Sequence, residues 1–192
     1  MPAPRLRLVA AALVAVAALP GGRAVAAEPG EAGFTLPSAS VRLVDGVYLL
    51  DAVARLELPA AVRDALDSGV ALTIGWEIEV TRRRDWWLDA DVARIVQRYR
   101  LEYHELSLQY VVTNLNTGRR RAYTRVGIAL DRIGNLIGFP LVDRVLVEPP
   151  ERYSGHVRVL LEHGTLPLPL RPTALFSPSW HLGTQWRALS FE

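Results

Sequence analysis

The chain has 192 residues with 22 basic and 20 acidic side chains and no cysteine. Disulfides, thiol nucleophiles and cysteine-held metal sites are therefore excluded, and stability has to come from a core, which a chain of this size can bury. Every basic residue is arginine, none lysine, a pattern that composition bias explains without selection for anion recognition.

The first element is not part of the fold. Arg5 and Arg7 precede an uninterrupted apolar run, Leu8 to Leu19, followed by Pro20-Gly21-Gly22 and small residues at Ala24 to Ala27. This is the layout of a secretory signal peptide over residues 1–27, cleaved near Ala26 or Ala27, and the apolar run is short for a membrane span. With Arg5, Arg7 and Arg23 removed, 19 basic groups face 20 acidic ones, a net charge of −1. Export makes nucleic acid an unsuitable partner, and periplasmic localisation is the expectation.

Residues 28–37 carry Pro, Gly and Glu without periodicity and read as a flexible lead-in. A single β-rich domain is expected from Ser38 to Glu192. Asp45-Gly46 between two β-prone runs predicts a hairpin, whose second arm aligns Tyr48, Leu50, Ala52, Ala54, Leu56 and Leu58 on one face. Pro59 and Gly69 bracket a short amphipathic helix. The run "VALTIGWEIEVT" alternates most clearly, with Leu72, Ile74, Trp76, Ile78 and Val80 directed inward.

After it, "RIVQRYRLEYHEL" predicts another strand, and "LSLQYVVTN" its partner with Leu106, Leu108, Tyr110 and Val112 aligned. Residues 114–118 read as a turn into a charged edge strand, "RRRAYTR". A second helix is predicted through Val126, Ala129, Leu130, Ile133, Leu136 and Ile137, closing near Gly138. "PLVDRVLV", "GHVRVLLE" and "TQWRALSF" read as strands, and "LPLPLRP" as extended. Eight or nine short strands with two short helices predict a mainly antiparallel β-sandwich or open barrel.

No nucleophile elbow, phosphate-binding glycine loop, dinucleotide fingerprint or metalloprotease motif is present. No catalytic residue, metal ligand or cofactor is expected. The four histidines have no metal-ligand spacing, and Ser154-Gly155-His156 reads as turn chemistry. Glu77 and Glu79 share one strand face about 7 Å apart, a spacing that overlaps that of inverting glycosidases, but alternating carboxylates are ordinary on a wet strand face.

The candidate binding residues are Arg82, Arg83, Arg84, Trp86 and Trp87, with Arg119, Arg120 and Arg121 past the later turn. Arginine and tryptophan together suit a protein interface, sugar stacking or anionic headgroups. Packing of one tryptophan at the core edge under arginines is the plainer alternative.

The ordered blocks "DGVYLLDAVARLELP", "ALTIGWEIEV" into "RRRDWW", "RYRLEYHELSLQYVV", "RYSGHVRV" and "LPLPLRPTALFSPSWHLGTQW" resemble the exported proteobacterial proteins grouped as domain of unknown function 4390, over about Val41 to Phe191. The resemblance implies an envelope protein and brings no catalytic set. It also implies a neighbourhood with a membrane sensor kinase. The expected function is thus non-catalytic binding of a protein partner at the envelope, such as a membrane sensor protein. Binding of an envelope glycan or anionic lipid is the alternative, and hydrolysis a second.

Overall fold

A computed structural model describes residues 33–82, 90–163, 166 and 177–191. The signal segment 1–27, the start of the lead-in, Arg83, Arg84, Trp86, Trp87 and, past Leu166, the proline-rich run lie outside the described residues.

Nine strands and two α-helices are present among the described residues, in two antiparallel sheets that do not close into a barrel. The mainly β, antiparallel fold expected from the pattern is the one observed. Strand β1 (Phe34–Val44) pairs with β2 (Val47–Leu56) through a tight turn at Asp45 and Gly46, both at positive φ. That is the backbone a two-residue hairpin turn requires. β1 begins at Phe34, ahead of Ser38, because Leu36-Pro37 interrupts the ladder between Thr35 and Ser38 and so breaks the alternation that would have revealed it. Proline is tolerated there since β1 is an edge strand.

Helix α1 (Ala60–Asp67) is preceded by Pro59 and stopped at Gly69, φ 87°. The Gly69 N–H bonds the Leu66 carbonyl and the Val70 N–H the Ala65 carbonyl, a Schellman pair that satisfies two orphan helix carbonyls. β3 (Leu72–Arg82) buries Leu72, Ile74, Trp76, Ile78 and Val80 completely, as its alternation predicts. β4 (Ala90–His104) and β5 (Gln109–Asn114) follow as a hairpin.

Three expectations are corrected here. Leu106 and Leu108 do not continue the alignment into β5 but stand in the turn between β4 and β5, 105% and 68% exposed, with Leu108 at φ 53°. The register His104↔Gln109 leaves four residues to reverse the chain, and that turn overrides the apparent alternation. Second, α2 is shorter than its periodicity: it spans Val126–Gly134 and passes directly into β7 (Asn135–Asp143). Leu136 is buried as a strand residue opposite Ala52, and Ile137 is exposed. Backbone pairing with β2 outweighs one more helical turn. "RVL" accordingly forms a 3₁₀ turn, not the end of a strand.

β6 (Arg120–Tyr123) is an edge strand, as its charge predicts. β8 (Tyr153–Leu161) pairs with β3, and β9 (Arg187–Leu189) with β8. The sheets are β1-β2-β7 and β6-β5-β4-β3-β8-β9. Between them lies one core, joining Tyr48, Leu50, Ala52, Ala54 and Leu56 of the small sheet to the inward row of β3.

Three contacts bind the layers. The Trp76 indole N–H donates to the Ile133 carbonyl at 2.9 Å, Tyr48 meets Phe191 edge to face at 5.1 Å, and the Arg187 guanidinium donates to the Leu36 carbonyl at 2.9 Å. At Gly134 a Cβ would overlap the Ala54 carbonyl oxygen, so only glycine lets α2 end against β2.

A basic pocket at the β6 edge

The turn that launches β6 is held on several sides. Asn114 Oδ1 accepts the N–H groups of Asn116 and Thr117, both at 3.0 Å, the local turn that an asparagine side chain favours. Gly118, φ 71°, donates to the Asn114 carbonyl at 2.8 Å, and the Asn114 N–H returns to the Arg119 carbonyl at 2.8 Å. Asn116 fastens the loop to β4, donating to the Val96 carbonyl and accepting from the Arg98 N–H, both at 2.8 Å. The arginines that follow therefore start from a fixed backbone.

Strand alternation then divides the triplet. Arg121, with Arg119 before it, shares a face with Tyr123, whereas Arg120 belongs to the opposite face with Ala122. On the first face a cavity of about 140 Å³ opens between β4, β5, β6 and α2. Tyr99, Val112 and Tyr123 give it an apolar wall, Asn114 and Thr117 line it from the turn, and Arg119, Arg121 and Arg132 surround it with guanidinium groups. Burial pushes the Tyr99 hydroxyl above its usual pKa range, and the positive charge of Arg132 works against that rise.

Arg132 was not a sequence candidate. The helical spacing of Val126, Ala129, Leu130 and Ile133 signalled a buried face but not what the other face of α2 would meet.

Convergence on one cavity, and not the want of a carboxylate partner, sets this cluster apart, since Arg55 and Arg100 also make no ion pair among the described residues. Arg42, Arg63, Arg94, Arg98, Arg144 and Arg158 each bridge a carboxylate. Among the described residues, Arg119, Arg121 and Arg132 have no acidic partner. Residues 114–130 contain Arg119, Arg120, Arg121 and Arg125 and no aspartate or glutamate.

Arg82 stands elsewhere. It ends β3 opposite Ala90 and Tyr153, whereas Arg120 lies in the row Thr113, Arg100, Thr73. Nine residues of strand separate Thr73 from Arg82, roughly 30 Å at a rise of about 3.3 Å each. Arg82 and the later triplet do not form one rim. Arg83, Arg84, Trp86 and Trp87 lie outside the described residues.

The remaining chemical candidates have structural partners. Glu77 bonds Arg158 at 2.6 Å and Glu79 meets Arg94 at 3.4 Å. Arg158 in turn stacks over Trp186, 4.3 Å from the ring centroid. The Ser154 hydroxyl meets that of Thr81 at 3.0 Å, and Ser154 to His156 lie inside β8, not in a turn. His163 and His181 come within 5.3 Å of each other, a proximity their spacing concealed. Each ring is bonded to a backbone carbonyl, of Trp180 and Ser177 respectively. Among the described residues no group of three or more histidine, aspartate or glutamate side chains is placed to hold a metal ion, and no helix is long and apolar enough to cross a membrane.

Residues 31–190 match the family described as Domain of unknown function (DUF4390). The chain belongs to this family. No curated protein and no solved structure matches it. The family match spans both sheets and both helices, so the β6 pocket lies within the family domain and not in an appendage to it.

Proposed function

We propose that this DUF4390 protein is an exported, non-catalytic binding protein of the cell envelope that engages a protein partner through the basic end of its larger sheet. The observation that carries this reading is the convergence of Arg119, Arg121 and Arg132, without acidic partners among the described residues, on a pocket beside an edge strand. Guanidinium groups on a rigid platform bind carboxylates through paired hydrogen bonds and are enriched where proteins meet. The pairing of Glu77 and Glu79 with arginines supports binding over hydrolysis. A membrane sensor protein is the partner class that the family resemblance implies.

The test is affinity capture from envelope extracts with the wild type and with R119E/R121E/R132E, after circular dichroism has shown both to be folded. A set of proteins retained by the wild type and lost from the charge-reversed chain is expected. Identical profiles from the two baits refute the reading, as does retention of anionic vesicles alone.

A further inference from the structure

The four sheet edges are not alike. β1 is interrupted at Leu36-Pro37, β7 carries Pro140 and irregular registers, and β9 is three residues long. β6 pairs with β5 without a register shift and contains no proline. Because the Asn114 N–H bonds the Arg119 carbonyl, the alternation of an antiparallel ladder turns the backbone groups of Arg121 toward β5. The N–H and C=O groups of Arg120 and Ala122 then point away from the sheet, and no described residue pairs with them.

Such an edge is a template for another strand. Its charge selects which. A second copy of β6 would bring arginine against arginine, so the triplet deters self-association. A strand bearing carboxylates removes that repulsion.

We infer that β6 accepts an extended acidic segment of the partner as an added strand, one carboxylate entering the pocket formed by Arg119, Arg121 and Arg132. This deepens the proposed function and rests on it. Arg121 would face the newcomer at a non-hydrogen-bonded position, where the Cα separation is shortest, about 4.5 Å, and side chains approach most closely. A cavity of about 140 Å³ matches a single acidic side chain and not a folded surface. The next residue but one returns to the same face, so a second carboxylate there meets the same arginines, while the residue between lies on the Arg120 side. Recognition therefore has a period of two: backbone bonds from Arg120 and Ala122 hold the segment, and alternate acids set its register.

The test uses the purified protein and a fluorescein-labelled octapeptide, Gly-Thr-Glu-Val-Glu-Thr-Glu-Gly, beside its glutamine counterpart, followed by fluorescence anisotropy at low and physiological salt. The glutamate peptide is expected to bind and to weaken with salt, and the glutamine peptide to bind about tenfold less tightly or worse. R121A and R132A should each weaken binding by about tenfold. A122P keeps all three arginines, removes one outward N–H and should abolish binding. Hydrogen exchange on the wild type supplies a readout independent of that variant: amides at 120 and 122 should become protected when peptide is added.

Undiminished binding to A122P, or competition by inorganic phosphate with the edge amides still unprotected, overturns the added strand and leaves a small-anion site. If the peptide fails while the charge-reversed bait still loses its captured proteins, this inference falls and the proposed function stands. If capture is unchanged as well, both fall.

Discussion

Replacing Trp76 with phenylalanine tests how the two layers are joined. Trp76 is fully buried in β3, and its indole N–H donates to the carbonyl of Ile133 in the last turn of α2, where no helical N–H is available to that oxygen. Phenylalanine retains the ring packing but removes the donor, leaving a buried carbonyl unsatisfied at a cost of about 1–3 kcal/mol. The smaller ring also forfeits roughly 50 Å² of apolar burial, about 1 kcal/mol at roughly 25 cal/mol per Å². The expected loss is about 2–4 kcal/mol. With a urea dependence of about 2 kcal/mol/M for a domain of this size, the unfolding midpoint should fall by about 1–2 M, read by circular dichroism. I78V is the control, since it removes one methyl group from the same buried row and should cost about 0.5–1.5 kcal/mol. If W76F costs no more than I78V, the indole bond does not join the layers as argued.

Two further perturbations address other joints. G134A places a methyl group on the Ala54 carbonyl oxygen and should destabilise by about 1–3 kcal/mol, measured by thermal unfolding, although glycine to alanine in a helix ordinarily stabilises. Asp51 has its carboxyl held below the usual range by the Arg42 guanidinium, 2.6 Å away, and then by the Gly138 N–H. Because the folded-state pKa is the lower one, this stabilisation is present above the unfolded value near 3.9 and is lost as pH falls through the folded value. D51N should flatten that part of the acid-unfolding profile and leave the region above about pH 5 nearly parallel to wild type.

The strands that alternate on a half-buried face were readable in the sequence, and β3 is the clearest case: its five inward residues are all fully buried. What could not be read was decided by pairing between distant segments. Leu136 continues the helical spacing of α2, yet it is a strand residue because β2 offers Ala52 as its partner. Leu106 and Leu108 fit an alternation that a four-residue reversal cancels. The site divides the same way. Arg119 to Arg121 were visible as a charged run at an edge, and alternation sorts them onto two faces. Arg132 joins them only because Gly134 and Trp76 hold α2 where they do.

The bond from Arg187 to the Leu36 carbonyl spans 151 positions of sequence. At a synthesis rate of about 5–20 residues per second, roughly 8–30 s separate the appearance of β1 from that of the segment it meets. The β1–β2 hairpin can form locally within microseconds, and β3 can cover most of its apolar face soon afterwards, but Tyr48 waits nearly the whole period for the ring of Phe191. Long-range closure of this kind slows folding. The hairpin that is easiest to make is therefore also one whose last contacts are completed only when the end of the chain arrives.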